Sequence, residues 1–214
     1  MRTASDIRNT AGLRERNRER NRAELAAAAL QLFTERGFDE VTVDDIAEAA
    51  GVSRRTFFRY FESKEDAVLP YEEERIDQLR EALAQRPAHE TVLATIRRVT
   101  TAIGADLSPQ GPARREALAR MRIVTENPSV LARSLELQSR MAEELSVLVA
   151  EHLGVEAETS LEAQVVAGAA IAAVRAAAHV WWATEGDRDF AELLGEAYDL
   201  LTTGVDLPGG PPTR

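Results

Sequence analysis

Thr42-Val43-Asp44-Asp45-Ile46-Ala47-Glu48-Ala49-Ala50-Gly51-Val52-Ser53-Arg54-Arg55-Thr56-Phe57-Phe58-Arg59-Tyr60-Phe61 reads as two short helices joined by a tight turn. Thr42 is an N-cap whose hydroxyl can accept an amide of the first turn, and Asp44 and Asp45 sit where the helix dipole favours negative charge. Val43, Ile46, Ala47 and Ala50 recur at the three-to-four spacing of one buried face, and Gly51 supplies the left-handed backbone that ends the helix. Ser53 caps a second helix only three residues beyond Ala50, so the two helices must cross steeply. Phe57 and Phe61, one turn apart, anchor that second helix and leave Arg54, Arg55, Thr56 and Arg59 on or beside its outward face. The N-terminal end of such a helix is the part that enters a DNA major groove. There an arginine takes both acceptors of a guanine edge, and a threonine methyl meets a thymine methyl.

The surrounding run, from Gly37-Phe38 through Thr42-Val43, Ile46-Ala47, Ala50-Gly51-Val52-Ser53, Thr56-Phe57, Tyr60-Phe61 and Ser63-Lys64-Glu65, resembles the DNA-binding domain of TetR-family transcription regulators. The resemblance implies that Thr42, Tyr60 and Lys64 hold phosphates, while Ser53, Arg54, Arg55, Thr56 and Arg59 face bases or nearby phosphates. Phe58 departs from the family pattern, standing where a phosphate-binding tyrosine is usual. A phenyl ring cannot donate that bond, which leaves packing on the sugar-phosphate wall or on a thymine methyl.

Working outward, residues 1–12 are polar and aperiodic and are expected to form a mobile arm, with Arg2 or Arg8 able to enter a minor groove. Arg14, Arg18 and Arg22 then recur every fourth residue and align on one face of a first helix, positioned either as a solvated start or as a phosphate-facing stripe. Leu25, Ala28, Ala29, Leu32 and Phe33 give that helix its buried face, and Gly37 ends it. After the helix pair, Ser63 and Asp66 form a cap-like start for a fourth helix, in which Pro70 predicts a kink or a delayed beginning. Further helices are expected at about 88–104, 112–126, 128–153, 159–185 and 188–203, punctuated by the Pro/Gly segment 108–112, Asn127-Pro128, Gly154 and Gly186-Asp187. The expectation is an all-α chain of nine helices: an arm over 1–12, a head of three helices over 13–63, a body of six over 64–204 and a disordered tail over 205–214.

Composition agrees with helices, since Ala, Leu, Glu and Arg dominate and aromatic residues are only 5%. Cysteine is absent, which excludes disulfides, a thiol nucleophile and thiolate metal sites. Three histidines scattered through the chain, with no HExxH, nucleophile elbow or phosphate-cradling glycine loop, argue against an enzyme, a metal site or a bound cofactor. The longest apolar stretch, from Val165 to Ala183, is interrupted by Arg175 and His179, so no membrane span is expected, and a cytoplasmic location fits. The net charge of −10 is unevenly placed: residues 1–64 carry 12 Lys and Arg against 11 Asp and Glu, and residues 65–214 carry 14 against 25. An acidic body with a locally basic head presents the head to DNA and repels DNA elsewhere.

Two features of the body suggest partners. Gln164 to Ala178 is rich in alanine with Gly168, allowing close helix approach, and the next helix presents Phe190, Leu193, Leu194, Ala197, Leu200 and Leu201. By the family resemblance this pair makes a four-helix homodimer interface, although the pattern equally allows a small-residue core within one subunit. Arg175, His179 and Trp182 share one stripe with Gly168 and Ile171, and a charge within an alanine-rich run calls for an anion, water or a partner. With the adaptable side chains of Met121 and Met141, they suggest a pocket for an apolar ligand bearing an acidic group.

The stretch Ala119 to Pro128, followed by Arg133-Ser134-Leu135-Glu136 and the alanine-rich helix, is similar to the acyl-CoA-type ligand domain of TetR regulators that includes the mycofactocin-system regulator. That similarity implies a fatty-acyl thioester as effector. The function expected is a homodimeric regulator, most simply a repressor that binds a pseudo-palindromic operator and is released by ligand; the alternative is the same head on a body that answers to a protein partner or to no ligand.

Overall fold

The computed structural model describes residues 4–69, 73–105, 107 and 112–204, and these hold nine α-helices and no strand. Arg2, the side chains of Arg8 and Arg14, Pro70 with its expected kink, and the expected tail at 205–214 lie outside the described residues. The backbone forms two compact units, Met1–Pro70 with Ala119–Ser134, and Tyr71–Leu118 with Leu135–Arg214. The division is thus discontinuous, where a contiguous head and body were expected.

In the first unit, α1 (Ala4–Arg36) begins well before the expected end of the arm at residue 12. Residues 4–12 contain no proline, and one glycine, Gly12, costs a helix only about 1 kcal/mol. Helix α2 (Val43–Ala49) opens with a reciprocal cap: the Asp45 amide donates to Thr42 Oγ1 at 3.2 Å, and the Thr42 amide donates to Asp45 Oδ2 at 2.9 Å. Gly51 ends it at φ +66°, with the Val52 amide donating to Ala47 O at 2.9 Å. Helix α3 (Arg54–Phe57) is capped by Ser53, whose hydroxyl oxygen accepts from the Thr56 amide. Its regular part is a single turn, carried on to Phe61 by the 2.9 Å bond from Tyr60 N to Phe57 O and the 3.0 Å bond from Phe61 N to Phe57 O. The core holds Leu25, Ala29, Phe33, Phe38, Val41, Ile46, Phe57, Phe61 and Val68, with Ile123, Val124 and Val130 from the later segment.

That segment belongs here for electrostatic reasons. Arg133 Nε lies 2.7 Å from Asp66 Oδ1 and its Nη2 lies 2.7 Å from Glu62 Oε2, while Arg120 Nη1 donates to the carbonyls of Ala67 and Val68. Asp66 also accepts the amides of Glu62 and Ser63, forming the expected cap, but it heads a series of turns rather than a helix.

The Thr42 hydroxyl and amide, with Arg36 beside them, hold the Asp45 carboxyl below the ordinary carboxylate range. A lowered folded-state value means that this cap is fully stabilising above about pH 4 and is lost as pH falls through the lowered value. Asp45→Asn should therefore reduce the acid sensitivity of the melting temperature below about pH 4, read by circular dichroism.

The second unit contains α4 (Glu73–Ala84), α5 (Val92–Gly104), α8 (Leu161–Ala183) and α9 (Phe190–Thr203), with the first part of α6 (Pro112–Glu126) and the long remainder of α7 (Pro128–Leu153). Small residues let α8 sit closely on its neighbours through Ala163, Ala167, Ala170, Ala173, Ala177 and Trp181, all buried. Tyr198 is fully buried, its oxygen accepts from Thr100 Oγ1 at 3.2 Å, and burial pushes its phenol up. Gly104 permits close approach of α9, since a Cβ there would lie 2.8 Å from Leu194 Cδ1. Helix α8 is long and apolar enough to cross a membrane by length and composition, yet its alanine face is committed to this core.

Candidate nucleic-acid interface and effector residues

Phe57 is wholly buried and holds α3 in place, packing at 5.3 Å on Phe61 and edge-on at 5.5 Å to Phe58. With that face inward, Ser53, Arg54, Arg55 and Arg59 are exposed and Thr56 is half-buried. Arg54 bonds Asp44 of α2 at 2.8 Å and lies 5.5 Å over the Phe58 ring. Arg55 makes no ion pair or hydrogen bond among the described residues, so its five donors are available to a ligand. Phe58, at 47% exposure, is an apolar surface beside these arginines.

Tyr60 and Lys64 differ from each other. The Tyr60 oxygen accepts from Asn21 Nδ2 at 3.2 Å and from Arg59 Nη2 at 3.1 Å. Those bonds, Asn21 first, hold the phenol below its usual range. Lys64 Nζ donates to the carbonyls of Phe38 at 2.8 Å and Val41 at 3.1 Å, and sits 4.3 Å over the Phe38 ring. It ties the chain after the helix pair to the loop before it, and one of its three hydrogens remains for a phosphate. Thr42 likewise spends its hydroxyl on the α2 cap.

The effector residues fall in both units. Met121 belongs to the first unit, whereas Met141 packs against the core of the second. Arg175 and His179 are exposed, on the face of α8 opposite its buried alanines, with Ile171 and Trp182 half-buried beside them. Arg175 and His179 thus meet solvent, and because α8 is alanine-rich on every side, composition hid which stripe faces the core. On α9, Leu193 and Leu194 fill their own subunit's core while Leu200 is 48% exposed. A shallow groove of about 450 Å3 is lined by Ala82, Gln85, Pro87, His89, Glu90 and Arg98, none of them an expected effector residue.

Asn21, Arg120 and Arg133 were not singled out as site residues from sequence. Asn21 had a local signal, an asparagine repeated at Asn17 and Asn21 within an arginine-rich helix that it does nothing to favour. Arg120 and Arg133 had none, because their partners are more than fifty residues away.

Comparison with known proteins places both parts of the chain. Residues 25–69 match the family described as bacterial regulatory proteins, tetR family, and residues 90–206 match the MftR C-terminal domain. The transcriptional regulator TcmR of Streptomyces glaucescens is 31% identical over 194 residues, covering 89% of this chain and 85% of TcmR. The mycofactocin biosynthesis regulator MftR of Mycobacterium tuberculosis is 29% identical over 184 residues, covering 85% and 89%. Among solved structures, FadR of Thermus thermophilus, a transcriptional repressor in complex with lauroyl-CoA, superposes with a TM-score of 0.52 at 25% identity, covering 90% of this chain and 98% of FadR.

Proposed function

Because this chain belongs to the TetR family of bacterial transcriptional regulators, whose members are regulators and not enzymes, we propose that it is an operator-specific repressor released by a fatty acyl-CoA. The observation that carries the DNA-binding half is the row of Arg54, Arg55 and Arg59, turned outward by the burial of Phe57 and Phe61. Arg55 reads a guanine edge, Arg54 reaches a base or phosphate from its Asp44 tether, and Ser53, Thr56 and Phe58 complete the groove contacts. Tyr60 and the remaining hydrogen of Lys64 hold the backbone, while Thr42, its hydroxyl given to the α2 cap, sets the start of that helix.

The protein acts as a homodimer in the cytoplasm. Its partner subunit meets the exposed α8 face of Leu161, Val165, Gly168, Ala172, Arg175, His179 and Val180, together with Leu200 of α9. Two heads then address successive major grooves of a pseudo-palindrome about 34–36 Å apart.

The acyl-CoA reading rests on the match to the MftR C-terminal domain and on the lauroyl-CoA held by the FadR relative. Within the second unit the apolar surroundings of Met141 suit an acyl tail. For ligand to release DNA it must bind the DNA-incompetent state more tightly, and a hundredfold release needs about 2.7 kcal/mol of coupling.

Arg55→Ala should cost about 1–3 kcal/mol on the preferred duplex and relax preference at one base pair, measured by competition anisotropy at fixed salt. Equal losses on every sequence would make Arg55 a phosphate contact instead. For the effector, calorimetry should show lauroyl-CoA binding the full chain and, in parallel, displacing it from DNA taken from the gene's own upstream region. Absence of both would favour a body that answers to a protein partner or to no ligand.

A further inference from the structure

We propose that Asn21 of α1 is a positioning residue that fixes the Tyr60 phenol as a hydrogen donor to a DNA backbone phosphate, supplying a contact that Phe58 cannot make. The proposal rests on the DNA-binding reading above.

A phenol oxygen can accept two hydrogen bonds and donate one. Here both accepting positions are taken from within the protein, by Asn21 Nδ2 at 3.2 Å and by Arg59 Nη2 at 3.1 Å. Its remaining capacity is its own hydrogen, directed away from those two donors. A phosphate oxygen, which only accepts, matches that hydrogen, whereas a donor does not. Two bonds received also polarise the O–H and strengthen the bond it gives.

The charge around this oxygen has the same sense. The Arg59 guanidinium lies 5.0 Å from the Tyr60 ring centre, Arg18 on α1 adds positive charge, and Arg22 lies 4.8 Å over the neighbouring Phe61 ring. Arg18, Asn21 and Arg22 are three and four residues apart and share one face of α1. The lowered phenol ionisation fits a hydroxyl that favours anion-like charge on its oxygen.

The test uses the full-length protein and a short duplex of arbitrary sequence, because a phosphate contact is independent of operator identity. Asn21→Ala and Tyr60→Phe should each weaken binding about tenfold and leave the slope of log K against log salt unchanged, because a neutral phenol releases no counterion. The double variant should be no worse than Tyr60→Phe alone, and Asn21→Gln, which keeps the amide, should recover part of the loss. In the free protein, the ultraviolet phenol titration assigned to Tyr60 by subtracting Tyr60→Phe should move to higher pH in Asn21→Ala. Additive losses, a flattened salt slope or an unmoved titration would overturn the proposal while leaving wild-type DNA binding intact. A wild-type chain that binds no duplex would overturn the regulator reading and this proposal together.

Discussion

Arg133→Ala should lower the stability of the N-terminal unit by about 2–4 kcal/mol, because it strands a carboxylate that water barely reaches. The side chains of Arg133 and Asp66 are 16% and 11% exposed and meet at 2.7 Å. Removing the cation leaves Asp66 with the amides of Glu62 and Ser63 but without a counter-charge. The loss falls short of a fully buried pair because those amides and some solvent remain. Arg133→Met combined with Asp66→Asn removes both charges and should cost less than Arg133→Ala alone. Urea denaturation followed by circular dichroism, arranged as a double-mutant cycle, measures the difference. A loss below about 0.5 kcal/mol would mean that the pair behaves as an ordinary surface bridge. DNA affinity should fall as well, since Asp66 and Glu62 sit directly after the helix pair and anchor its exit to the start of α7.

Phe57→Ala should have the second large effect, about 3–5 kcal/mol, from lost burial and the cavity left between α3 and its neighbours. The ring is fully buried and contacts Phe61 and Phe58, so its removal frees the segment that orients Arg54, Arg55 and Arg59. Against a typical total stability of about 5–15 kcal/mol, such a loss is enough to unfold the head at moderate temperature. Sequence-specific DNA binding should disappear while the alanine core of α8 and the buried Tyr198 keep their protection from hydrogen exchange. Phe57→Leu, which keeps more volume, should cost about 1–2 kcal/mol and retain measurable affinity. Simultaneous loss of protection in both units would refute the separation of their cores.

The contrast between these two residues explains what could be foreseen. Phe57 was legible because its partner in the pattern, Phe61, lies one turn away, and the Ser53 cap, the Gly51 stop and the Thr42 box are likewise local devices. Helices α6 and α7 fall at the expected bounds because Asn127-Pro128 punctuates them. Arg133 was not legible as a structural residue, since its value comes from Asp66, 67 positions earlier. Lys64 was expected to face phosphate because of its place in the family pattern, yet two carbonyls across the fold claim most of its capacity.

Sequence by itself determined the all-helical class, the paired helices with an arginine-bearing outer face, the position of most helix ends and the family. The first three follow from caps, breakers and periodicities that act within a few residues, and the family from the resemblance of the run around the helix pair to a known domain. Tertiary structure alone decided that residues 119–134 join the N-terminal unit, that α8 turns Arg175 and His179 outward, and that Asn21 joins Arg59 in holding Tyr60. An alanine-rich helix has no hydrophobic contrast to mark its buried side, and a hydrogen bond between residues 39 apart has no spacing rule to announce it.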